Sequence, residues 1–155
     1  MKNFKQKSGD ADVKDLKLKS PNVTEYMVSR KLITFKPDTK ISVVIKSLLE
    51  NRITGAPVLN DKNEVVGLID DKHCLNVLFA SAYYNHPNAH DTVDAYMTDE
   101  YKTISVNFDM IDVANAFVKS KFKRLLVMDD KGKLVGQISV RDVLRAIKDL
   151  NTNTW

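Results

Sequence analysis

Pro57-Val58-Leu59-Asn60-Asp61-Lys62-Asn63-Glu64-Val65-Val66-Gly67-Leu68-Ile69 returns in pattern, sixty-nine positions later, as Leu126-Val127-Met128-Asp129-Asp130-Lys131-Gly132-Lys133-Leu134-Val135-Gly136-Gln137-Ile138. Each copy sets two short aliphatic runs around a four-residue polar turn, Asn60 to Asn63 in one and Asp129 to Gly132 in the other. β-branched runs broken by Asn, Asp and Gly predict a β-hairpin. The hairpin occurs twice, so an internal repeat decides the architecture before any single motif does.

Upstream of the first hairpin, Ile41, Val44, Ile45, Leu48 and Leu49 recur at the three-and-four spacing of a helix with one apolar face. Asp38 or Thr39 is placed to cap it, and a second amphipathic stretch opens at Ile111. Glu25-Tyr26-Met27 is echoed by Ala95-Tyr96-Met97, seventy positions on. Downstream, Leu75, Leu78, Phe79 and Ala82 in one half, and Val143, Leu144 and Ile147 in the other, predict a closing helix. Each half reads strand, helix, strand, strand, helix, which makes the chain α+β (α/β), built of two β-α-β-β-α repeats. A unit of about sixty residues buries only about 60% of its chain surface, so the halves are expected to pack through their sheets about a pseudo-two-fold axis. The boundaries follow: a flexible basic tail at 1–20, repeats at 21–84 and 93–150, a linker at 85–92 containing Pro87, and a short tail at 151–155.

The 155 residues are 43% apolar and 28% charged, the balance of an ordinary globular protein and not of a disordered, collagenous or membrane-spanning one. No run nears the roughly 18 apolar residues of a membrane helix. Cys74 is the lone cysteine, so no internal disulfide is expected. The first thirty residues hold no continuous apolar stretch of the signal-peptide kind, and a cytoplasmic location is expected. The formal charge is +4, from 24 basic and 20 acidic side chains. Six lysines and three aspartates lie in residues 1–20, leaving 18 basic against 17 acidic groups elsewhere. The positive charge belongs mostly to a tail whose aspartates interrupt its lysines, and nucleic acid is the least supported partner.

The Tyr-Met repeat ahead of each half, Gly55-Ala56-Pro57-Val58 in the first hairpin, and Gly136-Gln137-Ile138-Ser139-Val140-Arg141-Asp142 ending the second together resemble a tandem pair of cystathionine-beta-synthase (CBS) domains, a Bateman module. The likeness covers about residues 20–150. It implies a regulatory module whose clefts between the halves bind an adenine-containing ligand, AMP, ADP or ATP ahead of S-adenosylmethionine or NAD; with no Ser-His-Asp grouping, Walker loop or metalloprotease motif in the sequence, neither catalysis nor a required cofactor is expected. In the family's Gly-x-x-Ser/Thr-x-x-Asp pattern the acid bonds the ribose hydroxyls and the Ser/Thr lies beside the phosphates, which assigns Asp142 and Ser139. The resemblance also places Arg124 at the phosphate. It gives the early strand, here Ile33-Thr34, and Thr54-Gly55-Ala56, with the adjoining Pro57 and Ile138, to the base and ribose.

The residue chemistry suits that use. Ser139 ends a strand and opens a helix, where free N–H groups and the helix dipole favour an anion. Asp142, when ionised, accepts hydrogen bonds from two vicinal hydroxyls, Arg141 and Arg124 supply charge for phosphates, and Gly55 lets a ring approach the backbone. Ser139-x-x-Asp142 equally reads as a capping box, and the two readings are compatible. In the first half, Gly67-Leu68-Ile69-Asp70-Asp71-Lys72-His73 puts Asp70 in place of Ser/Thr and His73 in place of the ribose Asp. Asp70 still caps a helix, but adjacent carboxylates oppose a phosphate. One competent cleft is expected. A degenerate second one, lined by Asp70, His73, Thr103, Ile104 and Lys123, is empty or takes a less anionic or cation-bridged ligand.

Other clusters carry less. His86 and His90 stand four apart near Asp91 and Asp94, but Pro87 argues against a helix through them and no Cys or Glu completes a set, so no metal is expected. Cys74 has only His73 beside it, pointing elsewhere around the helix, and reads as a small core residue. Lys119 and Lys121 read as solvent-facing, and Arg124 with Lys123 as phosphate contacts. Two functional classes remain. One is a stand-alone sensor acting on an effector protein in trans; the other is a ligand-free module that forms a homodimer through apolar stripes on 111–118 and 143–147.

Overall fold

The computed structural model describes residues 20–84 and 91–151. The first repeat runs α1 (Ile41–Asn51), β1 (Gly55–Leu59), β2 (Val65–Asp70) and α2 (Asp71–Tyr84). The second runs β3 (Thr103–Ser105), α3 (Met110–Val118), β4 (Arg124–Met128), β5 (Leu134–Ser139) and α4 (Val140–Asn151). β1–β2 and β4–β5 are antiparallel hairpins, and β3 lies parallel to β4. The turns close alike. Asn60 Oδ1 accepts from the N–H groups of Lys62 and Glu64, and Asp129 Oδ1 from those of Lys131 and Lys133. A side-chain acceptor at the head of the turn thus adds to the backbone bonds, Asn63 N–H to Asn60 O and Gly132 N–H to Asp129 O at 3.0 Å, in fixing the reversal.

The first repeat lacks the third strand. Ile33-Thr34, expected as a strand, form no ladder, and only a bridge joins Phe35 to Val58. In the second repeat Leu126 N–H donates to Lys102 O at 3.0 Å. Its counterpart sixty-nine positions earlier is Pro57, which has no N–H to give. Pairing therefore begins only with Phe35 N–H on Pro57 O, 3.0 Å, and stays too short for a strand.

One expectation about the helices is corrected. Neither Asp38 nor Thr39 caps α1: Lys40 holds that position without a side-chain bond, and Thr39 Oγ1 accepts from Lys36 N–H. The N–H of Ile41 is taken by Asp91 O at 3.0 Å, so the segment leading into the second repeat closes the helix of the first. The stripes Leu75, Leu78 and Phe79 on α2, and Leu144 and Ile147 on α4, face outward, while Cys74, Val77, Val143 and Ala146 are buried. Apolar residues lie on both faces of α2, so periodicity had no means of choosing between them, whereas α4 has one broad apolar stripe that is buried along one edge and exposed along the other.

There are two cores. One gathers Ile41, Val44, Val58, Ile69 and Cys74; the other gathers Ile104, Val113, Leu125, Val127 and Ile138. Each also takes a valine from the leading segment of the other repeat, Val93 in the first core and Val23 in the second. Val28 and Gln137 exchange both backbone hydrogen bonds at 2.8 and 3.0 Å, as Leu68 and Thr98 do at 2.9 Å. Met27 sits over Gly136 and Met97 over Gly67, so close that a Cβ on either glycine would lie 2.6 or 2.7 Å from the sulfur. The Tyr-Met repeat and the hairpin glycine are therefore one device, in which the absent side chain admits the methionine.

β1 and β4 are buried on both faces. Val58, Leu125 and Val127 turn to the cores, while Pro57 and Leu126, of opposite parity, are fully buried where the sheets of the two repeats meet. Residues 1–19, 85–90 and 152–155, which include most of the expected tails and linker with His86, Pro87 and His90, lie outside the described residues. No helix among the described residues is long and apolar enough to cross a membrane.

Candidate functional site

The strand-to-helix junctions of the two repeats are built on one plan. At the second, Ser139 N–H and Oγ–H both donate to Asp142 Oδ2, at 2.9 and 3.0 Å, and Asp142 N–H donates to Ser139 Oγ at 3.4 Å. The capping box is thus formed. The other carboxylate oxygen, Oδ1, accepts from Arg145 at 3.0 Å, and the same Arg145 nitrogen reaches Tyr26 O at 3.3 Å. At the first junction Asp70 Oδ1 accepts from His73 N–H at 2.8 Å, and Asp70 N–H donates to His73 Nδ1 at 3.2 Å. An imidazole nitrogen takes the place of the carboxylate.

Arg124 joins the two repeats. It pairs with Ser139 at the start of β4 as Gly55 pairs with Asp70 at the start of β1, and its guanidinium crosses to the first repeat. Nη2 donates to Thr54 Oγ1 at 2.5 Å. Nη1 lies on Gly55, 1.9 Å from where a Cβ would stand. The glycine expected to admit a ligand ring is thus covered by an arginine. Nη1 is buried and has no hydrogen-bond partner. Burial pushes the Arg124 pKa down, and the carboxylates of Asp70 and Asp71 partly offset this, but a guanidinium stays charged. A buried cation with an unused donor favours an anionic acceptor.

Around this guanidinium lies a cleft of about 520 Å³ with walls from both repeats: Thr54, Leu68, Asp70, Asp71, Lys72 and His73 from the first, and Thr98, Glu100, Lys121, Phe122, Lys123, Arg124 and Ser139 from the second. Thr54, Arg124 and Ser139, expected at the competent cleft, therefore meet Asp70, His73 and Lys123, expected at the degenerate one, in one space. The side chains of Ala56, Ile104 and Ile138 are turned into the cores, as strand alternation dictates. Pro57 is buried, Ile33 packs against the first core, and Thr34, Thr103 and Arg141 are exposed. Asp142 is tied to Ser139 and Arg145.

The cleft also holds residues that sequence reasoning passed over. Phe122 stands between Lys121 and Lys123, and an aromatic inside a basic run was the available signal. Thr98 and Glu100 follow the second Tyr-Met pair and reach the first repeat's wall only through the exchange of leading segments, which a linear repeat does not reveal. Lys121 pairs with Glu100 at 2.6 Å and holds its carboxyl below the usual range, although both are well exposed and such a pair contributes little. Burial pushes the Cys74 thiol up, with Asp70 and Asp71 adding to the effect, as befits a core residue and not a nucleophile. Asp91 accepts from Tyr96 Oη–H at 2.9 Å and Asp94 from the Thr92 hydroxyl. Among the described residues no group of three or more His, Cys, Asp or Glu is placed to hold a metal.

The family model of the CBS domain matches residues 23–80 and again 93–149. The chain belongs to the CBS domain family. Its two CBS domains form a tandem pair, the Bateman arrangement. An uncharacterised 17.7 kDa protein of Acidianus ambivalens is 25% identical over 126 residues, covering 81% of this chain and 73% of that one. The chloroplastic CBS domain-containing protein CBSX1 of Arabidopsis thaliana is 29% identical over 148 residues, covering 80% of this chain but 63% of that one. The crystal structure of CBSX2 in complex with AMP matches this CBS pair with a TM-score of 0.71 at 27% identity, over 84% of this chain and 98% of that one.

Proposed function

We propose that this CBS pair is a non-catalytic sensor that binds an adenine nucleotide, of the AMP, ADP or ATP class, in the inter-repeat cleft and signals occupancy to a separate effector protein. The observation that carries the reading is Arg124, a cation drawn from one repeat into the other, with Nη1 buried and unsatisfied. A phosphate supplies both the acceptor and the charge. S-Adenosylmethionine, which has no phosphate, suits the arginine less; NAD keeps a pyrophosphate but brings a second nucleoside to place. Lys121 and Lys123 add positive charge to the same cleft. The AMP bound by CBSX2, at 27% identity, supports the same ligand class. Both repeats wall the cleft, so a ligand biases their relative packing to the extent that it binds one arrangement better. The buried lone cysteine suits a reducing, cytoplasmic setting.

Titration calorimetry of the full chain with AMP, ADP, ATP, S-adenosylmethionine and NAD tests this reading. The expected result is micromolar binding of a phosphate-bearing ligand, weakened about tenfold or more by Arg124→Ala. Absence of binding below millimolar for every ligand, or an Arg124→Ala variant that binds as the wild type does, overturns it.

A second reading, homodimerisation, rests on a different observation. Leu49, Leu75 and Leu78 are exposed, and so are their counterparts sixty-nine positions on, Val118, Leu144 and Ile147. In the first repeat these leucines line an apolar groove of about 490 Å³ between α1 and α2. Apolar surface repeated in both halves suits a second copy of the chain. Light scattering is expected to find a dimer that Leu78→Glu converts to a monomer; a wild type that stays monomeric at high concentration removes this reading.

A further inference from the structure

Gln137 sits in the middle of β5, and its backbone is fully used, with N–H and C=O both bonded to Val28. Its side-chain Oε1 is buried without a hydrogen-bond partner. A buried orphan acceptor is costly and uncommon. Nothing in the fold calls for an amide here, because the first repeat places Leu68 at the same position with the same pair of backbone bonds, to Thr98.

The repeat places this orphan. Leu68 and Asp70 share a strand face and both line the described cleft, together with Thr98. Their counterparts are Gln137, Ser139 and Val28, so Gln137 takes the Leu68 position beside the second junction, whose helix carries Asp142. Residues two apart on a strand point the same way. Gln137 therefore shares its face with Ser139 and lies one step deeper, toward the sheet centre, where Leu126 is its fully buried cross-strand partner. A nucleotide whose sugar and phosphate sat at the Ser139–Asp142 junction would meet Gln137, which lies beyond the residues lining the described cleft, with its base.

We infer that Gln137 is a specificity residue for that base, its side-chain oxygen accepting a hydrogen bond from an exocyclic amine such as the 6-amino group of adenine; the inference rests on the nucleotide reading above. The amine satisfies an acceptor that is otherwise buried and unpaired. A base lacking it leaves the acceptor unpaired in the complex, which is how a site built around a polar group discriminates.

The test is a two-by-two calorimetric titration of the full chain: AMP and purine riboside 5′-monophosphate, which lacks the amine, each against wild type and Gln137→Leu. Leucine is the first repeat's own residue at this position, and Gln137→Met, unbranched and of similar length, gives the same readout should the leucine variant fail to fold. Wild type is expected to prefer AMP about tenfold, and the preference is expected to fall to within about twofold in the variant. A variant that keeps the preference, or that weakens both ligands equally, overturns the role of Gln137 while leaving nucleotide binding intact. A wild type that binds neither ligand overturns the nucleotide reading and this inference together.

Discussion

At the start of α4 the Ser139 N–H is taken by a carboxylate oxygen of Asp142; at the start of α2 the Asp70 N–H is taken in the same place by a ring nitrogen of His73. In both repeats the return bond runs from a backbone N–H, that of His73 or Asp142, to the side chain three residues earlier. The helix therefore needs an acceptor at that position, not a charge. What Asp142 adds is a negative charge and a second oxygen, which Arg145 occupies. The first repeat instead has Asp70 and Asp71 close enough to act on the Arg124 guanidinium. Backbone closure fixes the geometry of each junction, and the residue types are left to differ in what they offer a ligand.

The largest expected difference between the repeats is in stability. A Cβ on Gly67 would stand 2.8 Å from Thr98 O, a backbone atom held in a bridge to Leu68, as well as against Met97. The three atoms nearest a Cβ on Gly136 all belong to the side chain of Met27, which has three rotatable bonds with which to move aside. Gly67→Ala is expected to cost about 3 kcal/mol and Gly136→Ala about 1 kcal/mol. Denaturant unfolding of both variants checks this, and equal costs would mean that the two methionine seats are equally rigid.

Next in size is an effect on binding. Asp142→His rewrites the second junction in the chemistry of the first. Stability is expected to change by less than about 1 kcal/mol, because the cap keeps an acceptor, while nucleotide affinity falls about thirtyfold, or about 2 kcal/mol. An Asp142→His variant that binds like the wild type would confine the contrast between the junctions to helix capping.

How far the sequence reveals these features depends on whether they are local. The hairpins are legible because Asn60 and Asp129 close their turns with their own side chains. The swapped valines are not, since Val23 and Val93 look alike in composition and only three-dimensional packing sends each into the other repeat's core. The missing strand was written in Pro57, but reading it requires knowing which N–H the ladder uses. Thr54, Arg124, Ser139, Asp70, His73 and Lys123 are legible as cleft residues because they flank strand ends, where chain and helix termini leave polar groups open. The meaning of Gly55 was half legible: a small residue marks a close approach, but whether a ligand or Arg124 makes it is a matter of tertiary structure.

The smallest expected effect lies in the hairpin turns. Asn63 and Gly132 hold the same turn position with φ of +60° and +76°. A Cβ on Gly132 would find nothing within 4 Å, so a side chain there costs only what the left-handed backbone costs. Asparagine tolerates that region through its short polar side chain, while a β-branched residue does not. Gly132→Asn, which copies the first turn into the second, is therefore expected to cost about 0.3 kcal/mol, and Gly132→Val about 1–2 kcal/mol. Asn63→Gly is expected to be close to neutral, because easier left-handed geometry is offset by a freer unfolded chain. Thermal unfolding of the three variants orders them. Should Gly132→Asn prove as costly as Gly132→Val, the side chain and not the backbone would be the obstacle, and the two turns would not be equivalent despite their shared hydrogen bonds.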